Sequence, residues 1–351
     1  MLATSQPAPG AVVRARVPLR LGLAGGGTDL NPYSEAHGGA VLNITIDRYA
    51  YAFIEPSADG RTHFIAPDLE AEESFPAEDM NFQGARLVLH AGVARRLIAE
   101  HGGGRMAPFR LTSFVDAPPG SGLGSSSALV VALVEAFVAR LAAPLGPYDI
   151  AHLAYEIERI DLGLAGGKQD QYAATFGGAN FIEFLPGDRV IVNPLRVTPA
   201  MLNELETSMV ICFTGVSRAS ETIIAEQQRN MAAPDGLALE NLHRLKHDAI
   251  EMKLALLRGE ISQMADILNR SWRAKKGTAA GISTGVIDRL LESAFAAGAI
   301  GGKVSGAGGG GFMMFLVPPT RRMAVLRALG AGGGQAGGVH FTQGGAESWI
   351  I

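Results

Sequence analysis

The stretch APPGSGLGSSSA, residues 117–128, stands between an expected strand at Phe109 to Val115 and an expected helix at Ser125 to Leu141. Gly120, Gly122 and Gly124 alternate through it. Glycine lets the backbone take positive φ and come close to a ligand, so successive N–H groups can face an anion. A helix starting at Ser125 adds its unpaired N–H groups and the positive end of its dipole. One hydroxyl among Ser125, Ser126 and Ser127 can cap that helix or reach a phosphate or Mg²⁺. The spacing is not G-x-x-x-x-G-K-[ST], nor G-x-G-x-x-G. The bland alternative is a flexible connector ahead of a serine-capped helix.

The rest of the chain bounds what such a loop can serve. There are 351 residues, 47% hydrophobic and 18% charged, enough for a large core in two domains or one large one and too apolar for disorder. The net charge of −4 offers no bulk attraction to nucleic acid or an anionic membrane. The single cysteine, Cys212, excludes an internal disulfide framework and a cysteine-based zinc site, and it reads as a buried small hydrophobe. The longest apolar run, Ala128 to Ala143, is broken by Glu135 and Arg140, and the first residues show no secretion signal, so a cytoplasmic protein is expected. The 45 glycines gather in separate clusters, at 25–27, 102–104, 120–124, 166–167, 306–311 and 332–334, as if several loops converged on one ligand.

Hydrophobic periodicity predicts strands at Val12 to Leu23, Gly39 to Glu55 (strand or hairpin), Phe109 to Val115, Gly177 to Phe184 and Ser208 to Thr214. Two short strands should flank Gly306 to Gly311, with a last one near Gly338 to Thr342. Helices are expected at Gly84 to Glu100, Ser125 to Leu141, Tyr148 to Leu162, from Thr198-Pro199, Ser220 to Gln228, Leu239 to Arg258, Ile261 to Ala274, Thr284 to Ala297 and Thr320 to Leu329. Strands and helices interleave without βαβ regularity, which favours the α+β class. Turn residues at Pro186-Gly187 and Asn193-Pro194 put a boundary near 195, giving domains at 1–195 and 196–351.

The 117–128 loop resembles motif 2 of the GHMP kinases. Residues 16–30, RVPLRLGLAGGGTDL, resemble motif 1, and residues 303–317, KVSGAGGGGFMMFLV, resemble motif 3. The three blocks occur in order across nearly the whole chain. The resemblance implies an N-terminal ribosomal-protein-S5-like domain, a C-terminal ferredoxin-like domain, ATP and Mg²⁺. It implies ATP contacts along Pro119, Gly120, Ser121, Gly122, Leu123, Gly124, Ser125, Ser126 and Ser127. It places Mg²⁺ on Ser126 and Glu158, makes Asp170 the catalytic aspartate and sets Arg20 beside it. A cation there would keep the carboxylate ionised and lower the pKa of the attacking hydroxyl. Read alone, Glu158 could be a solvated helix residue, Asp170 a turn residue and Arg20 a surface strand residue.

Motif 1 departs from the galactokinase pattern: Gly26-Gly27 replaces Glu-His before Thr28-Asp29, leaving more room over a sugar. Asp29 can accept hydrogen bonds from neighbouring sugar hydroxyls. Together with residues 38–51, 166–178 and 212–220, this wording is similar to the D-glycero-D-manno-heptose 7-phosphate kinase branch. That branch implies phosphorylation of the anomeric C1 hydroxyl of a sugar phosphate, and so a basic clamp, for which Arg20, Lys168 and Arg218 are candidates, Lys168 first. Thr28, Gly167, Gly308 and Gly309 complete the expected substrate contacts. The partners expected are a sugar phosphate, ATP and a second copy of the chain in a homodimer, with no nucleic acid and no membrane. Trp272 with Arg273, Lys275 and Lys276 reads as a solvated basic helix end. The alternatives are a fucokinase-like or other anomeric hexose kinase, a catalytically silent sugar sensor, and a decarboxylase of a phosphorylated acid.

Overall fold

The computed structural model describes residue 8, residues 10–216 and 220–231, and residues 236–351. The first half runs β1 (Val13–Ala24), α1 (Tyr33–His37), β2 (Gly39–Pro56), β3 (Arg61–Ala66), β4 (Ala71–Pro76), α2 (Val88–His101), β5 (Phe109–Val115), α3 (Ser125–Leu141), α4 (Pro147–Tyr155), α5 (Gln169–Phe176), β6 (Ala179–Leu185) and β7 (Arg189–Pro194). The second runs α6 (Pro199–Ser208), β8 (Met209–Phe213), α7 (Ser220–Met231), α8 (Leu237–Arg258), α9 (Ile261–Lys276), α10 (Gly285–Ala296), β9 (Gly301–Val304), β10 (Phe312–Leu316), α11 (Arg322–Ala331), β11 (Gln335–Gly337) and β12 (Glu347–Ile350).

β1 shows why the first sheet forms and how it reaches the site. Val13, Ala15, Val17, Leu19, Leu21 and Leu23 alternate onto the core face and are buried. The opposite face is wet at Arg14 and partly covered at Arg16, but Arg20, on that same face, is buried. The end of β1 therefore runs under the glycine loops. The long strand β2 is one strand, not a hairpin. It pairs with β1 along one edge, and on the other with β6 through its first half and β5 through its second. The sheet order is β12-β1-β2-β5-β3-β4, extended from β2 through β6 and β7.

The second sheet is antiparallel in the order β11-β8-β10-β9. Numbered along the chain, that is 4-1-3-2, the ferredoxin-like arrangement. One hydrophobic core continues between the two halves: Met252 of α8 and Met264 of α9 belong to the same buried cluster as Leu19, Leu42 and Val131. The apolar face of α9 faces this cluster, and α3, apolar all round, lies inside it.

Two expectations differ. The strand foreseen near Gly338 to Thr342 is an isolated bridge, Phe341 to Ile46. It stitches β2 where its register with β1 slips, with Asp47 N donating to His340 O at 3.0 Å and Thr342 N to Thr45 O at 3.1 Å. The helix foreseen at Tyr148 to Leu162 stops being α-helical at Tyr155 and continues as a π-helical turn, Glu156–Asp161.

Candidate active site

Three loops meet above the end of β1 and enclose a cleft of about 320 Å³. Gly120, Gly122, Gly124, Ser125, Ser126 and Ser127 line one wall. Gly124 has φ +75° and caps α3, whose N-terminus faces the cleft. The loop needs its glycines because the loop of residues 305–311 lies against it. A Cβ on Gly122 would stand 2.5 Å from the Ser305 carbonyl oxygen, and one on Gly306 would stand 2.7 Å from Gly122 Cα. Phe312 N donates to Ser121 O at 2.8 Å, tying the two loops together. Ser121 and Leu123 face inward and support this loop rather than line the cleft.

Arg20 and Asp170 sit at the centre. Arg20 Nε and Nη2 donate to Asp170 Oδ1 at 2.7 and 2.6 Å, and Nη1 donates to Gly122 O at 2.7 Å. Asp170 Oδ2 has no hydrogen-bond partner among the described residues, and Gly124 brings the phosphate loop against it: a Cβ there would lie 3.3 Å away. Asp170 is the second residue of α5, a short helix the sequence reading treated as a turn.

Ser126 and Glu158 come together from α3 and the π-helical turn, with Ser126 Oγ donating to Glu158 Oε1 at 2.7 Å. π-Turns are rare and often mark functional positions. This one carries Glu158 to the cleft, where its side chain is 1% exposed. Gln171 Nε2 donates to Glu158 Oε2 at 2.7 Å. A hydroxyl and a carboxylate are hard oxygen donors of the kind Mg²⁺ takes together with phosphate oxygens and water. No cluster of three or more His, Cys, Asp or Glu residues that could hold a metal occurs among the described residues.

Asp29 is buried beside α5. Its Oδ1 accepts from Gly27 N and Gln169 Nε2, both at 3.1 Å, and its Oδ2 accepts from Gln169 N at 3.2 Å. Burial pushes its pKa up and the nearby Asp170 charge adds to this, against the lowering effect of the N–H donors. Gly167 packs its backbone onto the Asp29 carboxylate, leaving no room for a side chain.

Several expected site residues lie elsewhere. The Lys168 ammonium turns away from the cleft, pairs with Asp188, lies 3.8 Å from Glu35 and stacks over Tyr155. Thr28 is buried and its hydroxyl is spent on Gly25 O and Ala40 O at 2.8 and 3.0 Å, so it shapes the loop rather than the cleft. Gly308 and Gly309 pack on Ile282, with Gly309 N donating to its carbonyl at 2.8 Å; Gly306 and Ala307 reach the cleft instead. Arg218 lies outside the described residues.

Other residues at the site were not foreseen. Arg159 donates to the carbonyls of Leu164, Ala165 and Gly167 and to Ser127 Oγ, holding the loop of residues 163–167 against α3. Lys275 projects from the end of α9 into the cleft, with its Nζ donating to Gly306 O at 2.6 Å. Burial pushes its pKa down to about 8, with the Asp29 charge acting in the opposite sense. Its signal was in the spacing: Met264, Leu268, Ser271 and Lys275 fall on one helix face, and the first three are buried.

Comparison with known proteins identifies the family. The GHMP kinases N terminal domain matches residues 87–178 and the GHMP kinases C terminal domain matches residues 252–335. The chain is 42% identical to the D-glycero-alpha-D-manno-heptose 7-phosphate kinase of Campylobacter jejuni, over 97% of this chain and 99% of the relative. A solved structure described as a D-glycero-D-manno-heptose 1-phosphate kinase from Bacteroides thetaiotaomicron superposes with a TM-score of 0.82 at 43% identity, covering 97% of this chain and 99% of that one. The galactokinase of Lactococcus lactis, solved with galactose, shares the fold at a TM-score of 0.73 and 19% identity, covering 96% of this chain and 95% of that one. No described helix is long and apolar enough to cross a membrane. With both domains matched and whole-length relatives above 40% identity, the chain belongs to the GHMP kinase family and is an ATP-dependent sugar phosphotransferase.

Proposed function

We infer that the chain transfers the γ-phosphoryl group of ATP to the anomeric C1 hydroxyl of D-glycero-D-manno-heptose 7-phosphate, giving the 1,7-bisphosphate used to build nucleotide-activated heptose for surface polysaccharide. The carrying observation is the 42% identity to the heptose 7-phosphate kinase over 97% of the chain. In this reading the triphosphate lies along Gly120–Ser127 and the start of α3. Ser126 and Glu158 hold Mg²⁺, which neutralises charge on the phosphates. Asp29 and Gln169 hold sugar hydroxyls, and hydroxyl donors would favour the ionised form of the Asp29 carboxylate. Arg20 occupies Asp170 Oδ1, which leaves Oδ2 to take the proton of the attacking hydroxyl. Motif 3 approaches through Gly306 and Ala307. The same reading divides the chain at 1–195 and 196–351, with β12 returning to complete the first sheet beside β1.

The retained pair of Arg20 and Asp170 favours an enzyme over a silent sugar sensor, since a sensor needs no base. The test is ADP release with ATP–Mg²⁺ against heptose 7-phosphate, heptose 1-phosphate, free heptose, mannose, mannose 6-phosphate, fucose and galactose. The expected result is a kcat/KM at least 100-fold higher for heptose 7-phosphate than for any other sugar, about 2.7 kcal/mol of transition-state discrimination. Faster turnover of heptose 1-phosphate, fucose or a free hexose would discard the substrate. Binding without turnover of any sugar would favour the sensor.

A further inference from the structure

We propose that Lys275 is the residue that recognises the phosphate already carried by the sugar, and so sets the preference for a phosphorylated substrate. This rests on the reading of the substrate as a sugar phosphate, and it names the group that reads that phosphate.

A dianionic phosphate bound in a cleft needs a cation with donors to spare. Among the described residues, the other cations around this cleft are already committed. Arg20 is spent on Asp170 and Gly122 O. Arg159 is spent on three carbonyls and Ser127 Oγ. Lys303 donates to the carbonyls of Gly22 and Leu23 at 2.8 and 3.3 Å. Lys168 faces Asp188 and Glu35 outside the cleft. Lys275 differs from these four in lining the cleft with only one acceptor, among the described residues, for its three N–H groups. One of its N–H groups goes to Gly306 O, and no carboxylate oxygen among the described residues lies within 4.0 Å of its Nζ. It is 5% exposed and lines the cleft, so the remaining donors have little besides a ligand to serve.

Its place within the cleft points to the sugar rather than to ATP. A Cβ built on Gly26 would lie 3.6 Å from Lys275 Nζ and 3.8 Å from Gln169 Nε2. The ammonium therefore stands over the bare backbone of Gly26, in the room that a side chain would otherwise fill, and next to the glutamine that holds Asp29. Among the carboxylates acting on it, Asp29 weighs more than Asp170. A buried ammonium in this position costs free energy in the empty protein, and a phosphate dianion would offset that cost.

The test uses Lys275→Met and Lys275→Arg in the full chain, with kcat and KM measured for two pairs: heptose 7-phosphate with heptose, and mannose 6-phosphate with mannose. The expected result is that Lys275→Met lowers the ratio of kcat/KM between the phosphorylated and free members by at least 30-fold, mainly through KM, and that Lys275→Arg restores part of it. Lys275→Gln, which keeps a donor for Gly306 O without the charge, replaces the Met variant if that one does not fold. An unchanged ratio overturns the proposal. So does an equal fall in kcat for both members of a pair, which would put Lys275 on the transferring phosphoryl group. So does a wild-type protein with no preference for the phosphorylated member of either pair. If the wild type prefers mannose 6-phosphate to heptose 7-phosphate, the heptose reading fails while the mannose pair still tests Lys275.

Discussion

At the scale of single residues, the site is organised by charge pairing that leaves one oxygen free. Arg20 approaches Asp170 only at Oδ1, so the carboxylate is anchored without being saturated. Asp170→Asn keeps the shape and an acceptor for Arg20 but cannot take a proton. It should lower kcat by about 10²–10⁴-fold with the protein still folded, and near-normal kcat would remove Asp170 from the role of base. Glu158→Gln should instead raise the Mg²⁺ concentration needed for half-maximal rate, because the site loses its one formal negative charge toward the metal; an unchanged Mg²⁺ titration would place the metal elsewhere. Arg20, Asp29 and Ser126 sit in motifs 1 and 2, Glu158 and Asp170 were placed only by the family resemblance, and the structure brings all five to one cleft. Lys275 was not legible in the sequence. It follows Trp272, Arg273 and Ala274 and precedes Lys276, and composition alone makes that a wet basic end. Only the register of α9 turns it inward. Lys168 failed in the reverse way: its neighbours in sequence reach the cleft, while α5 begins just after it and its own side chain leaves on the other side toward Asp188.

At the scale of elements, the cleft depends on two glycine loops touching backbone to backbone. Gly306 has φ +72°, and its missing Cβ is what lets residue 122 approach. Gly306→Ala would meet both a left-handed backbone and the Gly122 Cα, which does not yield as a flexible side chain would. The expected loss is about 2–4 kcal/mol of unfolding free energy, read from urea denaturation, together with a raised KM for ATP. A stability within 0.5 kcal/mol of wild type would mean that the loops part easily. Elements with a long periodic pattern were legible: β5 and α3 begin and end where the spacing puts them. β3 and β4 were not: RTHFIA is mostly buried between β5 and β4 yet shows little apolar alternation, and AEESFP is the exposed edge strand with two adjacent glutamates. α5 was missed because it follows two glycines and is only 8 residues long. The π-turn cannot be read from periodicity, because it changes the hydrogen-bonding step from i→i+4 to i→i+5 without calling for different residue types.

At the scale of the whole molecule, function leaves a mark on stability. Lys275 and Lys303 are both buried beside the cleft, and burial lowers their pKa values to about 8 and about 7 from an ordinary 10.5. A cation with a lowered folded-state pKa is penalised by folding. Below pH 7 both states carry the proton and the penalty is full. Between about 7 and 10.5 the unfolded chain holds more protons than the folded one, so stability rises with pH at up to about 1.4 kcal/mol per unit for each lysine. Acids with raised values work against this at higher pH. Burial lifts the Cys212 thiol to about 11 from 9.0 and Tyr33 to about 12 from 10.0. Above pH 9 and 10 respectively, the unfolded chain loses these protons first and stability falls. The ligand-free protein should therefore be most stable near pH 10, where the thiol and the tyrosine together overtake the two lysines, gaining about 2–4 kcal/mol between pH 7 and pH 9 in urea titrations. Most single-domain proteins lose stability or stay flat over that span, so the rise is diagnostic. Lys303→Met, which removes the more strongly shifted group from a place that holds no ligand, should flatten about half of the rise. A flat or falling profile in the unaltered protein would mean that one or both ammonium groups find water or a counter-ion in solution, and the electrostatic picture of the cleft would have to be redrawn with those lysines charged at no cost.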